Sequence, residues 1–179
     1  MSEPIPACIS IGGKIPCKLV SALCQAIRAE GLALEWGDAH FKPTSADDLR
    51  DACRELEGVN LLWLCDDSAN WGRFNVLESV LVENDIAFDL QSDGKAEYDA
   101  DLTVFRSGGK PIRILTNADG EPMVFAKSLA PVREALEQVV IAVWRGKFPQ
   151  YLRSLRAAQA ALTAALPPAI VPLTPFDVV

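Results

Sequence analysis

Short apolar runs alternate with helix-periodic stretches along the first 90 residues of the chain. The clearest run is 60–65, in which Leu61 to Cys65 are all apolar, and a run of this length is typical of a strand buried on both faces. Other apolar runs predict three further strands, at 7–11, 32–36 and 86–90. Apolar residues at helical spacing predict helices in the three segments between these strands, at 16–30, 44–57 and 70–83.

Signals at the helix ends support this order of elements. Pro16 suits a first helical turn, and Gly31 suits the position just after a last turn. Thr44 or Ser45, each with an aspartate three residues later, suits a helix N-cap. The repeated strand–helix order favours an α/β fold with a mainly parallel, twisted sheet flanked by helices. A ferredoxin-like antiparallel sheet is the competing fold, because helices of similar length also join its strands.

The pattern changes after Gln91, where a polar segment is followed by three short strand candidates, 102–106, 112–115 and 123–126. Gly108-Gly109 separates the first two candidates, and turn-forming residues at 117–120 separate the second from the third. Glycine-containing turns between short apolar runs are typical of hairpins. We therefore expect an antiparallel β-hairpin extension of the sheet.

The last third of the chain is predicted to be a helical pair followed by an extended tail. Apolar residues at helical spacing begin near Pro131 and continue to Trp144, and a second, alanine-rich helix fits 150–166. Prolines spaced along the tail exclude a further helix there. These patterns divide the chain into an α/β core at 1–127 and a C-terminal helical appendage with its tail at 128–179, packed together as one domain.

Charge is distributed unevenly along the 179 residues, whose net charge is −7. Residues 1–127 hold 12 Lys/Arg and 21 Asp/Glu, whereas residues 128–179 hold five and three. An acidic chain without a dominant basic face argues against general nucleic-acid binding, which depends on phosphate neutralisation. The N-terminus has no signal-peptide pattern and no apolar stretch is long enough to span a bilayer, so we expect a cytoplasmic protein that does not use a membrane.

Five cysteines are present and none forms a CxxC pair. Each lies in an apolar pattern, so we expect buried, reduced thiols that pack as small hydrophobic side chains. This expectation agrees with a cytoplasmic location, where disulfides are rare.

Carboxylates follow several of the predicted strands and could form a metal site. Asp38, Asp66 and Asp93 would meet at one edge of a parallel sheet, where open α/β folds bind ligands. Oxygen ligands of this kind suit Mg²⁺, with His40 as a candidate general base. The competing interpretation is that these carboxylates cap helices or are simply solvated.

Gly12, Gly13 and Lys14 follow the first predicted strand and could bind an anion through backbone amides and an ammonium group. The segment has neither the GxGxxG spacing of dinucleotide-binding folds nor the Walker-type phosphate loop. An ordinary turn is therefore the alternative interpretation.

These patterns support two functional hypotheses. The first is a non-catalytic accessory protein that binds a protein partner, or itself, through residues 128–179 and needs no cofactor. The second is a small enzyme or ligand-binding protein that depends on Mg²⁺ or phosphate and uses the predicted carboxylates. The apolar tail could bind in trans or fold back onto its own chain.

Overall fold

The computed structural model describes residues 4–95, 99–117 and 119–179, and these fall into two units. The first unit comprises Met1–Glu121 together with Ile170–Val179, and the second comprises Pro122–Ala169. The second unit is therefore an insertion in the chain of the first. The tail after residue 169 belongs to the same unit as the sheet.

Eight strands and five helices are assigned within the described residues. The strands are β1 (Pro4–Ile11), β2 (Lys14–Ile15), β3 (Cys53–Leu56), β4 (Val59–Asn70), β5 (Phe88–Ser92), β6 (Asp101–Phe105), β7 (Ile112–Leu115) and β8 (Asp177–Val178). The helices are α1 (Val20–Glu30), α2 (Ala46–Asp51), α3 (Asn75–Glu83), α4 (Ala130–Trp144) and α5 (Phe148–Ala165). Short 3₁₀ turns at Cys17–Leu19 and Ala126–Leu129 lead into α1 and α4.

The main sheet is antiparallel, with the strand order β3-β4-β1-β5-β6-β7. Strand β1 lies between β4 and β5 and runs antiparallel to both. The prediction of a mainly parallel sheet is therefore wrong, and the fold is α+β. Among the described residues, the parallel pairing is that of the two-residue strands β2 and β8. The predicted strands at 102–106 and 112–115 are present as β6 and β7, paired as an antiparallel hairpin.

The apolar run 32–36 accounts for one part of the error in the predicted topology. In the described structure it adds no strand to the sheet and forms an isolated antiparallel bridge between Ala33 and Cys65. A parallel crossover needs a strand at each end of the connecting helix. Strand β3 is antiparallel to β4 and so runs in the same direction as β1, and the hairpin turn at 57–58 that joins β3 to β4 makes β4 antiparallel to β1.

A hairpin replaces the end of the second predicted helix. Helix α2 ends at Asp51, and Cys53–Leu56 pairs with β4. The turn residues Glu57 and Gly58 have φ values of 52° and 81°. Two successive left-handed residues form the type of two-residue turn that matches strand twist. Gly58 therefore belongs to a hairpin turn rather than to a helix end.

Two further boundaries differ from prediction. Strand β4 continues to Asn70, so Asp66 lies inside the strand instead of following it, and α3 starts at Asn75. The third strand candidate, 123–126, is not a strand and leads into a 3₁₀ turn. The first error arises because polar residues continue β4 beyond its apolar run. The second arises because the apolar residues at 123–126 do not form a strand.

Helices α1 and α3 pack on one face of the sheet and form the main core with alternate strand residues. Buried side chains of this core come from both layers, among them Ile9, Ile11, Leu62, Leu64, Phe88, Phe105, Leu23, Ile27 and Leu77. The opposite face carries a smaller apolar cluster around Trp63 and Cys65. Of the five cysteines, all unpaired, Cys24 and Cys65 are buried, whereas Cys17 is exposed, contrary to the expectation that each is buried.

The tail folds back onto the first unit, which confirms the predicted alternative that it packs on its own chain. Strand β8 pairs with β2, and Phe176 and Val178 join the main core. A Cβ atom at Gly12 would lie 2.4 Å from the carbonyl oxygen of Thr174, so this close approach depends on glycine. The tail is therefore part of the folded sheet unit.

The second unit is a helical hairpin in which α4 and α5 pack against each other. Both helices agree with the sequence prediction to within two residues. The structure describes every residue of this unit, and its buried residues are Ala142 and Ala158. Within the described residues, no helix is long and apolar enough to cross a membrane.

Candidate functional site

Strand β1 separates two of the carboxylates that were predicted to bind Mg²⁺. Ala7 of β1 pairs with Asp66 on one side and with Ser92 on the other. Two strand spacings, roughly 10 Å, therefore separate the backbone at Asp66 from that at Ser92, the residue before Asp93. The Oδ1 atom of Asp66 accepts a hydrogen bond from the Ser68 N–H at 3.0 Å. Asp66 thus has a local structural role in the bulged end of β4.

The other two predicted site residues lie in the exposed loop after α1. Asp38 follows Gly37, whose N–H donates to Asp67 Oδ2 at 2.8 Å, so the loop is held against β4. His40 is exposed, and its ring lies beside Gly31 at the end of α1. Within the described residues no three His, Cys, Asp or Glu side chains form a group that could hold a metal ion. The Mg²⁺ site stays a prediction.

The glycine amides predicted to bind an anion already have acceptors. The Gly12 N–H donates to the Ala87 carbonyl at 3.1 Å, and the Gly13 N–H donates to the Thr174 carbonyl at 3.0 Å. Lys14 lies in β2, which pairs with the tail. An anion at this position would have to displace the tail, and the anion site also stays a prediction.

A polar cleft of about 450 Å³ lies where the turn after β4 faces β5, β6 and β7. Trp71 and Gly72 form the turn, with φ values of 57° and 65°. A Cβ atom at Gly72 would lie 2.6 Å from the Cβ of Ser92, so glycine lets the turn approach β5 closely. The wall of this polar cleft includes Ile5, Trp71, Arg73, Asp93, Asp99, Asp101, Thr103, Pro111 and Arg113.

Arg73 joins the turn to both α3 and the sheet at the floor of the polar cleft. Its guanidinium forms an ion pair with Glu78, and its Nη1 donates to Thr103 Oγ1 at 2.6 Å. Glu78 also accepts a hydrogen bond from the Phe74 N–H at 3.0 Å. Burial raises the pKa of Glu78, whereas the positive charge of Arg73 opposes that rise. Arg73 is thus committed to its protein partners on two sides.

Asp101 is the most buried charged side chain of the cleft. The residue is 2% exposed, and its Oδ2 accepts a hydrogen bond from the more exposed Arg113 of the neighbouring strand. Within the described residues, Asp101 Oδ1 is buried and has no hydrogen-bond partner. A buried carboxylate oxygen without a donor is destabilising, by roughly 1–3 kcal/mol or more for a charged group. This oxygen therefore marks an unmet demand for a donor.

The sequence contained a signal for this cleft that its interpretation as a hairpin missed. Asp101 and Thr103 alternate with Leu102 and Val104 along β6, so two polar side chains share one face of a strand. Both are buried, which is uncommon for such residues unless they are paired.

The opposite face of the sheet carries a wider groove of about 640 Å³. One wall is formed by the tail residues Ile170, Pro172 and Leu173. Arg106 holds this wall, because its Nε donates to the Val171 carbonyl at 2.6 Å while its Nη atoms bind Asp89 at 2.6 and 3.0 Å. Arg106, oriented by Asp89, thus fixes the tail along the groove.

The helical hairpin exposes large apolar side chains. Small residues fill the contact between its helices, as the buried Ala142 and Ala158 show. Each helix carries its exposed apolar residues in a stripe that lies about 100° around the helix axis from the residues at the helix–helix contact. Viewed from the N-terminus of each helix, the direction of this rotation is the same. Because the short connection makes the helices antiparallel, both stripes lie on one side of the hairpin. This hairpin surface comprises Leu136, Val140, Val143, Trp144, Phe148, Leu152, Leu155, Leu162 and Leu166.

The polar cleft and the hairpin surface differ in chemistry. The cleft is concave and charged, which suits a small polar ligand, whereas the hairpin surface is open and apolar, which suits a macromolecular partner. Comparison of this chain with protein-family models, curated proteins and solved structures yields no match.

Proposed function

We propose that this chain is a self-associating protein and that the hairpin surface mediates its dimerisation. One observation carries the proposal: a hairpin whose buried residues are two alanines exposes nine large apolar side chains on one side. Trp144 is 86% exposed and Phe148 is 66% exposed. Contiguous apolar patches of this kind are rare on monomeric proteins and mark interaction sites.

The dimensions of the hairpin suit a four-helix bundle formed by two copies. Helices of 15 and 18 residues are about 22 and 27 Å long at 1.5 Å per residue, and two of them side by side are about 20 Å wide. The resulting face, about 500 Å² in projection, is close to the roughly 600 Å² per partner at the lower end of stable interfaces. Pairing two hairpins through a two-fold axis would bury the same surface on both copies.

The charge pattern favours an antiparallel pairing of the two hairpins. Residues 122–169 hold six Lys/Arg and two Asp/Glu, which gives a net charge of +4. Both carboxylates, Glu134 and Glu137, lie in the first half of α4 up to its middle residue, where Glu137 pairs with Arg133 at 3.9 Å, whereas Arg145 and Lys147 lie at the tip. An antiparallel pair would bring the basic tip of each copy toward the carboxylates of the other.

We infer a cytoplasmic location as well, because all five cysteines are unpaired.

The test is the molar mass of the full chain, measured by light scattering after size exclusion between about 5 and 200 µM. We expect a dimer, and we expect Val143→Glu and Leu155→Glu to yield monomers, because each places a charge in the apolar interface. Both side chains are exposed, so neither change disturbs packing within the hairpin. Val76→Glu is the matched control, since Val76 is exposed on α3 of the first unit, and this variant should remain dimeric.

Two results would overturn the proposal. The first is a chain that stays monomeric over the whole concentration range. The second is a dimer that persists unchanged in both hairpin variants. Vesicles containing phosphatidylserine form a parallel arm, since exposed aromatic residues beside Arg and Lys can also bind an anionic membrane surface. A monomer that binds these vesicles through Val143 would assign the hairpin surface to a membrane instead.

A further inference from the structure

We propose that the polar cleft binds a small organic cation, one that carries a primary ammonium or guanidinium group on an apolar carbon frame. The inference concerns the first unit and is independent of dimerisation through the hairpin surface. It rests on three features of the cleft: a buried acceptor without a donor, an excess of negative charge and an apolar wall.

The buried acceptor is Asp101 Oδ1. Its carboxylate is held in place by Arg113 through the other oxygen, Oδ2, so the side chain is fixed before any ligand arrives. Within the described residues Oδ1 has no donor, although the side chain is 97% buried. Oδ1 is covered in the free protein, so a ligand must move a wall side chain to reach it. Its ammonium or guanidinium N–H group would then supply the missing donor, and a hydrogen bond between two charged groups is stronger than one between neutral groups.

The charge of the cleft favours a cation over an anion. Asp93, Asp99 and Asp101 lie in its wall together with two arginines. Arg113 is paired with Asp101, and Arg73 is paired with Glu78, which lies behind the wall. The paired charges cancel, and the exposed carboxylates of Asp93 and Asp99 outweigh the nearby ammonium of Lys95, which binds the Pro4 carbonyl, by one negative charge. A ligand that enters therefore meets a negative potential.

The remaining wall favours an organic cation over a bare metal ion. Ile5, Trp71 and Pro111 line one side and can contact carbon atoms of a ligand. A small divalent ion would need several converging oxygen ligands, and the described residues contain no such group. The volume of about 450 Å³ lies in the range of small-molecule sites.

The experiment measures thermal unfolding and calorimetric binding of the full chain with methylguanidine, agmatine and 1,4-diaminobutane as probes. Inorganic phosphate and Mg²⁺ are the comparison ligands. A ligand that binds only the folded state raises Tm. We expect at least one amine or guanidine probe to raise Tm by about 5 °C at saturation, with neither comparison ligand doing so.

Variants then locate the site. Asp101→Asn removes the charged acceptor, and we expect its Kd for the bound probe to rise at least tenfold. Asp93→Asn is the second variant; this exposed side chain can be changed without affecting the core, and its Kd should rise several-fold. Asp38→Asn, a change to an exposed carboxylate outside the cleft, is the matched control and should bind as the wild type does. The monomeric variant Val143→Glu should also bind normally, which separates this result from dimerisation.

Three outcomes would overturn the inference. One is the absence of a Tm shift and of binding heat with every amine and guanidine probe. Another is a shift that persists unchanged in both Asp101→Asn and Asp93→Asn, because the cation would then bind elsewhere. The last is a shift with phosphate but not with amines, which would make the arginines of the cleft an anion site.

Discussion

Val178→Ala is the sharpest test of the finding that the tail belongs to the core of the first unit. Val178 is 4% exposed, whereas its neighbour Val179 is 54% exposed, so Val179→Ala is a control of identical chemistry one position away. Both residues keep their backbone hydrogen bonds after substitution, since these involve main-chain atoms of the tail. The Val178 carbonyl accepts from Arg50 Nη2 at 2.7 Å, and the Val179 carbonyl accepts from the Cys17 N–H at 2.7 Å.

The expected magnitude follows from the atoms removed. Val→Ala deletes two methyl-sized groups, which removes about 1.6 kcal/mol of transfer free energy at about 0.8 kcal/mol per group. A residual cavity of about 50 Å³ would add about 1 kcal/mol. Val178→Ala should therefore lower the free energy of unfolding by about 2.5 kcal/mol, which lowers Tm by about 5–10 °C for a chain of this size. Val179→Ala should change it by less than about 0.5 kcal/mol.

The assay is urea unfolding followed by tryptophan fluorescence, since three of the four tryptophans lie in the first unit. The wild type and both variants are compared at one protein concentration, because dimerisation would otherwise shift the midpoints. Equal midpoints for the two variants would refute the assignment. In that case the tail detaches before the sheet unfolds, and its burial contributes nothing to the stability of the sheet.

Three further predictions concern single residues. Gly72→Ala should lower the free energy of unfolding by about 3 kcal/mol through backbone strain and a clash with β5. Gly58→Ala, with open space around its Cβ, should lower it by about 1 kcal/mol. Equal decreases in urea unfolding would contradict this. Hydrogen bonds, chiefly from Thr44, lower the pKa of Asp48, so its stabilisation is present above the usual aspartate pKa and lost as pH falls through the lowered value. Asp48→Asn should reduce the decrease in Tm measured between about pH 5 and pH 2. An unchanged dependence of Tm on pH would exclude the cap as the source of this decrease. One thiol, Cys17, should react quickly with a thiol reagent, because burial raises the pKa of the other four thiols; a fast phase that survives Cys17→Ser would disprove the assignment.

Local features of the fold could be predicted from the sequence, whereas strand pairing could not. The capping box at Ser45 and the left-handed Gly31 after α1 are set by neighbouring residues, and both are present as expected. Strand direction depends on which runs join the sheet and on where a hairpin reverses the chain, as the turn at 57–58 does. The run 32–36 has the composition of a strand, but it contacts the sheet at one bridge. Periodicity alone does not distinguish a paired strand from an apolar loop that packs on one.

The same limit applies to the candidate site. The carboxylates at Asp38, Asp66 and Asp93 were grouped by assuming a sheet of parallel strands, whereas β1 lies between the strand of Asp66 and that of Ser92, and the segment before Asp38 adds no strand to the sheet. The polar cleft depends on pairs far apart in sequence, such as Arg73 with Thr103. A long-range pair of this kind leaves no local spacing to detect. The hairpin surface could be anticipated better, because helical periodicity is a local property.

The pairing of β2 with β8 has a consequence for the order of folding. Lys14 pairs with Asp177, 163 positions later, so this contact raises the contact order of the fold. At a synthesis rate of roughly 5–20 residues per second, β2 would wait about 10–30 s for its partner. During that interval the core positions of Phe176 and Val178 stay empty, and the apolar side chains around them remain accessible to chaperones. The sheet unit is therefore completed late, after the inserted hairpin has been synthesised. The hairpin between 122 and 169 can form from local contacts alone.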